Sequence, residues 1–330
     1  MLRVVVAAAI VVCGAMRIRT LTAEVAKKEA QRQEERAGRT SAEKELRALL
    51  KAKLDVSSGY YVQPIATLQS VFAQCIGTPR QGYLAPSTRA AVVCHSNVSP
   101  ETLDGLEAFS HVWITFVFHT NTNGKNARAH AGLRTEGATA HTFRAKVSPP
   151  MLKKRLGIFA TRTPHRPNPI GITLARIESV DKQRCTVFVS GIDLVDGTPV
   201  LDLKPYVPAY DCVPTADVAV ASWIAATVAT QRSVMWTDQA IADITANARR
   251  TRFYKDDAPG LRQAITEVLA VDVRSADQAK KQRQGVSHLR YDRLNVQYQV
   301  LSDIHVLSVG QDTAALDECT GEGAAVLDEC

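Results

Sequence analysis

The chain has 330 residues, of which 45% are hydrophobic and 22% charged, and its formal net charge is +7. This length and composition are typical of a soluble globular protein with a sizeable core and room for two domains, and the basic balance suits a polyanionic partner without requiring one. The seven cysteines form no CxxC pair and the eight histidines no HExxH pattern, which argues against a zinc ribbon or other metal site and indicates a reducing compartment.

Residues 1–21 read as a hydrophobic targeting or anchor segment. Val4 to Met16 is a run of thirteen uncharged residues, flanked by Arg3 and Arg17. The run is shorter than the roughly 20 residues that a spanning helix needs. Three interpretations stay open: a cleaved signal peptide, a mitochondrial transit peptide, and a short anchor that brings residues 4–16 into contact with a membrane. The expected location is cytoplasmic or mitochondrial.

Residues 22–56 are predicted to form a charged helical linker. They are rich in Ala, Glu, Lys and Arg, and Gly38 is their one glycine. Thr40 and Glu43 have the spacing of a capping box, which predicts that a second helix begins there. The segment is either a solvated linker or a coiled-coil contact.

Residues 57–214 switch to a period of two, which predicts a mainly β domain. The stretch "SHVWITFVF" places Val112, Ile114 and Phe116 on one face of a buried strand. Asp196 and Gly197 lie between apolar flanks and predict a hairpin turn. No long amphipathic helix is available here to cover an open sheet, so we expect a closed barrel.

Residues 215–310 are predicted to form a small α+β domain. Two stretches have helical apolar spacing, "ADVAVASWIAATVATQR" and "GLRQAITEVLAVD", and "LNVQYQVL" alternates as a strand. Residues 311–330 contain six acidic residues and no basic one, and are predicted to be a disordered acidic tail.

The stretch "ATRTPHRPNPIGITL", residues 160–174, predicts a rigid basic loop. Three prolines exclude a helix or a central strand, so the side chains of Arg162, His165 and Arg166 are displayed on a stiff backbone. No acidic residue occurs between Glu136 and Glu178, whereas eight basic residues do: Arg144, Lys146, Lys153, Lys154, Arg155, Arg162, Arg166 and Arg176. This concentration of charge predicts an anion site, with a nucleic-acid backbone as the obvious large anion.

Common nucleotide-binding signatures are absent from the sequence, including GxGxxG after a strand and the GxxxxGK[ST] loop. The sequence instead contains four distinctive stretches: "GTPRQ", "GLEAFSHVWITFVFH", "GIFATRTPHRPNPIGITLARI" and "GIDLVDGTPVLDLKPYVPAYD". Together, in this order, they resemble the TrmO family of tRNA methyltransferases. The resemblance covers roughly residues 60–211. It implies a β-barrel core that uses S-adenosyl-L-methionine, and "EVLAVDVRS" further along resembles the second domain of that family.

The resemblance also implies site residues. Arg162 or Arg80 would hold the methionine carboxylate, and Asp196 would accept from the ribose hydroxyls or the adenine amino group. The implied cofactor contacts are Pro79, Arg80, Gln81, His119, Thr120, Arg162, Leu174, Asp196, Gly197, Thr198 and Pro199. From the basic segment and the second domain we expect RNA contacts at Lys153, Lys154, Arg155, His165, Arg166 and Arg274.

The reaction implied by the resemblance is methyl transfer to the exocyclic nitrogen of threonylcarbamoyl-adenosine, next to the anticodon of threonine tRNA, by a homodimer. The sequence does not identify the base that removes the proton; His165 is one candidate, and it could instead stack on a base or contact phosphate. Two other classes stay open: a non-catalytic module that binds the cofactor or RNA, and a membrane-tethered adaptor.

Overall fold

A computed structural model describes residues 2–53, 61–121, 145–149, 152, 154–224, 231–272, 274 and 285–312. The predictions made for Lys153 and for the acidic tail beyond residue 312 lie outside these residues. The chain divides into two compact units, Met1–Val62 and Gln63–Cys330.

In the first unit, the described residues form one helix, α1, which extends over Leu2–Lys53. The predicted start of a second helix at Thr40 is wrong: the helix continues through it, and the Thr40 hydroxyl donates to the Arg36 carbonyl at 2.9 Å. A threonine hydroxyl satisfied by the preceding turn cannot serve as a cap. In the described part of the chain, no helix is both long and apolar enough to cross a membrane.

The second unit begins with a closed barrel, as predicted. Its six strands are β1 Ala66–Ser70, β2 Arg89–Cys94, β3 His111–Val117, β6 Ile170–Asp181, β7 Thr186–Ser190 and β8 Thr198–Pro205. They lie in the order β1, β2, β7, β6, β3, β8, and every neighbouring pair is antiparallel. A two-stranded ribbon, β4 Lys146–Val147 and β5 Leu156–Gly157, precedes β6, and a short helix, α2 Pro208–Asp211, follows β8.

The barrel interior is filled by alternating side chains. Val112, Ile114 and Phe116 of β3 are buried as the two-residue period predicted. Each such side chain stabilises the fold by about 1.5–3 kcal/mol relative to an exposed one. Gly171 lies opposite Phe116 in the β3–β6 register, and a Cβ there would come within 2.3 Å of the phenyl ring. The glycine therefore makes room for Phe116 at the end of the barrel.

The prediction of a hairpin at Asp196 and Gly197 is wrong. The turn is present, with Gly197 at a φ of +76°, but β7 and β8 are not paired. Residues 191–197 cross from β7 to β8 over the end of the barrel, and Val195 forms a parallel bridge with Phe72. An Asp-Gly pair specifies a local turn, whereas the pairing of strands depends on barrel closure.

The C-terminal part of this unit has the predicted α+β architecture. Its elements are β9 Val234–Trp236, α3 Asp238–Asn247, α4 Ala258–Ala270, β10 Val286–Tyr291, β11 Leu294–Val300 and β12 Ile304–Gln311. The sheet has the order β10, β11, β12, β9, in which β9 is parallel to β12. Within the described residues, the helix predicted over 216–232 is formed at 222–224 but not at 218–221 or 231–232, and residues 225–230 lie outside the described part of the chain.

The two halves of the unit share a core. Val71, Phe72 and Ala85, from the loop after β1, pack with the C-terminal helices and sheet, and the Phe72 ring meets Tyr291 edge-on at 5.7 Å. Ser87 donates through its backbone N–H and its hydroxyl to Glu267 of α4, both at 2.8 Å. The C-terminal elements therefore fix the conformation of residues 71–88.

Candidate functional site

One end of the barrel collects the segments singled out by sequence. Thr198 at the start of β8 is opposite Leu68 near the end of β1, and Ile170 at the start of β6 is opposite Val117 at the end of β3. Val200 is also opposite Phe116, which places the start of β8 beside the end of β3. Antiparallel pairing thus brings four segments together: 71–88, 119–121, 158–169 and 191–197.

The proline-rich loop reaches the segment that follows β1. The Arg162 guanidinium donates to the Gln81 side-chain carbonyl, and the Gln81 amide donates to the Arg80 carbonyl at 2.5 Å. Arg162 and Arg80 are exposed and Pro79 is buried. Two predicted cofactor segments, far apart in the chain, are therefore in direct contact, and Arg162 remains open to a ligand.

The segment after β3 meets the Asp-Gly turn. A Cβ at Gly197 would lie 3.9 Å from Nε2 of His119, so backbone and imidazole are close. Burial lowers the pKa of His119, which keeps the ring neutral near pH 7. Thr120 contacts the Cys75 thiol at 2.9 Å. The turn is closed by the Thr198 hydroxyl, which donates to the Val195 carbonyl at 2.5 Å, and Pro199 follows opposite Thr67.

Asp196 is held by groups from both halves of the unit. Its Oδ1 accepts from the Ser70 backbone N–H at 2.6 Å and from the Arg252 guanidinium at 3.2 Å. Its own N–H donates to the Phe72 carbonyl at 2.8 Å. Arg252 was not predicted as a site residue, because nothing in the sequence distinguishes it from the other lysines and arginines of the chain.

Asp193 was also not predicted as a site residue, although it lies beside Gly82 and Arg162 at the same end of the barrel. Its carboxylate accepts from the Thr173 hydroxyl at 2.8 Å and from the backbone of Gly82, and it faces Arg162. Burial raises the pKa of Asp193 to about 6, against the opposing effects of Thr173 and Arg162. A carboxyl group whose pKa is raised within a cluster of polar groups is typical of a functional site.

The stiffness of the proline-rich loop has an additional cause. The Arg166 guanidinium turns back onto its own loop, donating to the Thr161 carbonyl at 3.0 Å and the Ile158 carbonyl at 3.4 Å. It also lies over the exposed Phe159 ring, 5.6 Å from the centroid. These contacts brace the loop around Arg162, so Arg166 has a structural role whatever else it binds.

Leu174 lies apart from the other predicted cofactor residues. It is opposite Trp113 in the β3–β6 register and therefore points away from the barrel interior, four residues along β6 from the barrel end. There it lines an open groove between the barrel and α4, together with Tyr83, Arg89 and Gln263.

Comparisons with known proteins match this architecture. The family model described as the tRNA-methyltransferase O N-terminal domain matches residues 67–212. The tRNA (adenine(37)-N6)-methyltransferase of Escherichia coli is 33% identical over 225 residues, which is 66% of this chain and 84% of that protein. A crystal structure of TrmO from Pseudomonas aeruginosa has a TM-score of 0.55 and 30% identity, covering 76% of this chain and 98% of that one.

The chain belongs to the TrmO family. A mouse protein of the same name as the E. coli relative is 46% identical over 153 residues, 45% of this chain. The match spans only 31% of the mouse protein's length.

The residues of this TrmO-family chain that are predicted to contact RNA differ in their exposure and in their partners. Lys154 and His165 are exposed, and Arg155 is exposed while donating to the Lys146 carbonyl at 3.0 Å. Arg274 is 7% exposed and forms a two-bond pair with Asp272 at 2.8 and 2.9 Å. Its role as an RNA contact stays a prediction.

Among the described residues, no group of three or more His, Cys, Asp or Glu is placed to hold a metal ion.

Proposed function

We propose that this protein is an S-adenosylmethionine-dependent tRNA (adenine-N6)-methyltransferase. The observation that carries the proposal is the meeting of four separate TrmO-like segments at one end of the barrel, with Arg162 in contact with Gln81. The acceptor we propose is the exocyclic nitrogen of threonylcarbamoyl-adenosine, 3′ of the anticodon in threonine tRNA.

The side chains at this end suit the proposed cofactor. An exposed guanidinium at Arg162 can pair with the methionine carboxylate, and the Asp196 carboxylate can accept from ribose hydroxyls or the adenine amino group. Gly197 lets a ligand approach the backbone closely. S-adenosylmethionine, when bound, supplies an electrophilic methyl group.

The acceptor nitrogen makes two demands on the protein. Its lone pair is delocalised into the purine ring, so its proton must be removed and it must be aligned with the methyl group. Two titratable groups at the barrel end suit proton acceptance near neutral pH: His119, whose pKa burial lowers, and Asp193, whose pKa burial raises to about 6. The braced proline-rich loop would keep the acceptor in line.

Replacing Arg162 with alanine should weaken S-adenosylmethionine binding by about 1.5–3 kcal/mol, the usual contribution of a hydrogen bond to a charged group. The side chain is exposed, so thermal stability should barely change. Titration calorimetry measures the affinity of the parent and of Arg162→Ala for S-adenosylmethionine. Arg184→Ala, at the opposite end of the barrel, is the matched control and should bind as the parent does. Equal affinities for the parent and Arg162→Ala would place the carboxylate elsewhere.

The basic segment is proposed to contact tRNA phosphates through Lys153, Lys154, Arg155, His165 and Arg166. Removing Lys153, Lys154 and Arg155 together should flatten the dependence of log K on log salt by up to about three, near one per lost phosphate contact. Filter binding at several salt concentrations measures the slope. A triple variant at the other end of the barrel, Lys182→Ala, Lys204→Ala and Arg184→Ala, should keep the parent slope. An unchanged slope in the first variant would move the RNA surface elsewhere.

A homodimer is also proposed, and an apolar outer face of the barrel supports it. Ile170 and Ile172 of β6 are 44% and 55% exposed and lie beside Val117 and Thr115 of β3. Exposed apolar side chains grouped in this way are typical of protein contacts. Membrane contact through residues 4–16 and a cytoplasmic or mitochondrial location stay predictions.

The function is tested by incubating the protein with threonine tRNA and S-adenosylmethionine carrying a deuterated methyl group, followed by nucleoside mass spectrometry. We expect one labelled methyl group on threonylcarbamoyl-adenosine. Cofactor binding without transfer to any tRNA would favour a non-catalytic binding module. Absence of both would leave the membrane-tethered adaptor.

A further inference from the structure

Arg252 bridges the barrel and the C-terminal elements at the turn that carries Asp196. The residue follows α3, and its side chain is 22% exposed. Its Nη1 donates to Asp196 Oδ1 at 3.2 Å, its Nε donates to Asp292 Oδ1 at 3.1 Å, and its Nη2 donates to the Ser70 carbonyl. One guanidinium therefore joins three separate segments of the chain.

The C-terminal anchor of this bridge is fixed. Asp292 lies in the turn between β10 and β11 with a φ of +42°, and its side chain is fully buried. Its Oδ2 accepts from the backbone N–H groups of Arg252 and Phe253 at 2.9 and 3.2 Å. A buried carboxylate with this many donors sets both the position and the orientation of the guanidinium.

The Arg252 bridge contacts one carboxylate oxygen of Asp196, Oδ1, and does not contact the other, Oδ2. Within the described chain, the hydrogen bonds to this carboxylate, from Ser70 and from Arg252, both end on Oδ1. The side chain is 40% exposed, so Oδ2 is available to a ligand. Two donors on one oxygen fix the rotation of the carboxylate. Without them, an exposed aspartate on a turn would have no fixed orientation.

We propose that Arg252 is a positioning residue, through which the C-terminal domain orients Asp196 to accept from the adenosine part of the cofactor. This inference rests on the proposed function, since it assigns Asp196 to S-adenosylmethionine. The C-terminal domain is then part of the cofactor site, although all four TrmO-like segments of that site lie in the barrel.

A second arginine provides a matched comparison. Arg89 of β2 also joins the two halves: it donates to the Phe253 carbonyl at 3.0 Å, pairs with Asp257 and lies over the Tyr254 ring at 4.5 Å. It makes no hydrogen bond to Asp196 among the described contacts. Arg89→Met therefore removes a bridge of similar kind without altering the orientation of that carboxylate.

The test uses the full chain in three forms: Arg252→Lys, Arg252→Met combined with Asp292→Asn, and Arg89→Met. The double variant avoids a buried carboxylate without a counter-charge, and asparagine tolerates a positive φ. Circular dichroism checks folding. Calorimetry measures binding of S-adenosylhomocysteine, of its 2′,3′-dideoxy analogue, and of its analogue without the adenine amino group.

In the parent, one of the two analogues should bind about 10- to 100-fold more weakly than S-adenosylhomocysteine, because Asp196 loses its partner. Both Arg252 variants should bind S-adenosylhomocysteine less tightly by a similar factor, and should lose the discrimination against that analogue. Arg89→Met should keep it. Arg252 variants that discriminate as the parent does would overturn the inference. A parent that binds none of the three ligands would instead overturn the proposed function.

Discussion

Replacing Gly82 with alanine should lower the free energy of unfolding by about 3 kcal/mol, the upper end of the usual cost of overpacking. The residue is buried, and a Cβ there would lie 1.9 Å from the Gly191 carbonyl oxygen and 2.7 Å from its carbon. That backbone belongs to the segment that carries Asp193 and Asp196, so neither side of the contact can yield without moving the site.

The same substitution should weaken S-adenosylmethionine binding by at least the roughly 1.5–3 kcal/mol of one hydrogen bond to a charged group. Displacing residues 79–82 separates Gln81 from Arg162 and Gly82 from Asp193. Urea unfolding and calorimetry measure the two effects. Gly157→Ala is the control, because a Cβ there meets no atom within 4 Å. A Gly82→Ala protein as stable and as tight as the control would show that the segments do not meet.

Replacing Asp193 with asparagine should change stability in a pH-dependent way. The pKa of Asp193 is about 6 in the folded chain, against an ordinary value of 3.8, because burial disfavours the charged form. The parent therefore loses stability as pH rises from about 4 to 6, while the asparagine variant does not. Between pH 4 and pH 7 the variant should gain up to about 3 kcal/mol relative to the parent.

Cofactor binding should weaken in the same variant, because a neutral amide no longer faces the Arg162 guanidinium. A carboxylate that is kept at a cost in stability is common at functional sites. Urea unfolding at both pH values measures the first effect. Thr173→Val is the companion variant: it removes a hydrogen bond that lowers the pKa of Asp193, so the transition should move to higher pH. A stability difference that is constant with pH would contradict this description of Asp193.

The hydrophobic period of the sequence predicted which side chains of a strand or a helix are buried. The two-residue period placed Val112, Ile114 and Phe116 inside the barrel, and the helical period placed Leu261 and Ile265 on the buried face of α4. Both patterns follow from side-chain direction within one element, so a single stretch of sequence contains them. The family resemblance, and not the local pattern, implied that Gln81 and Arg162 belong to one cofactor site, and the two side chains are in contact in the fold.

Long-range contacts were not predictable in this way. Asp193 is distinguished by the Thr173 hydroxyl and the Gly82 backbone, and Arg252 by Asp196 and Asp292, all distant in the chain. Nothing in the neighbouring sequence marks Arg252. Asp193 lies within the TrmO-like stretch of residues 191–211, but local pattern does not distinguish its role from that of the other aspartates there. The Asp-Gly turn failed as a hairpin signal for the same reason, because its flanking segments find partners elsewhere in the barrel.

Photo-crosslinking of the full chain with methyl-labelled S-adenosylmethionine, followed by peptide mapping, tests the central claim most directly. Irradiation should attach the label to peptides from the four segments at the barrel end, those containing 79–81, 119–120, 162 and 196–199, and excess S-adenosylhomocysteine should abolish it. Label confined to the outer groove beside α4, on peptides containing Arg89 or Gln263, would contradict the claim.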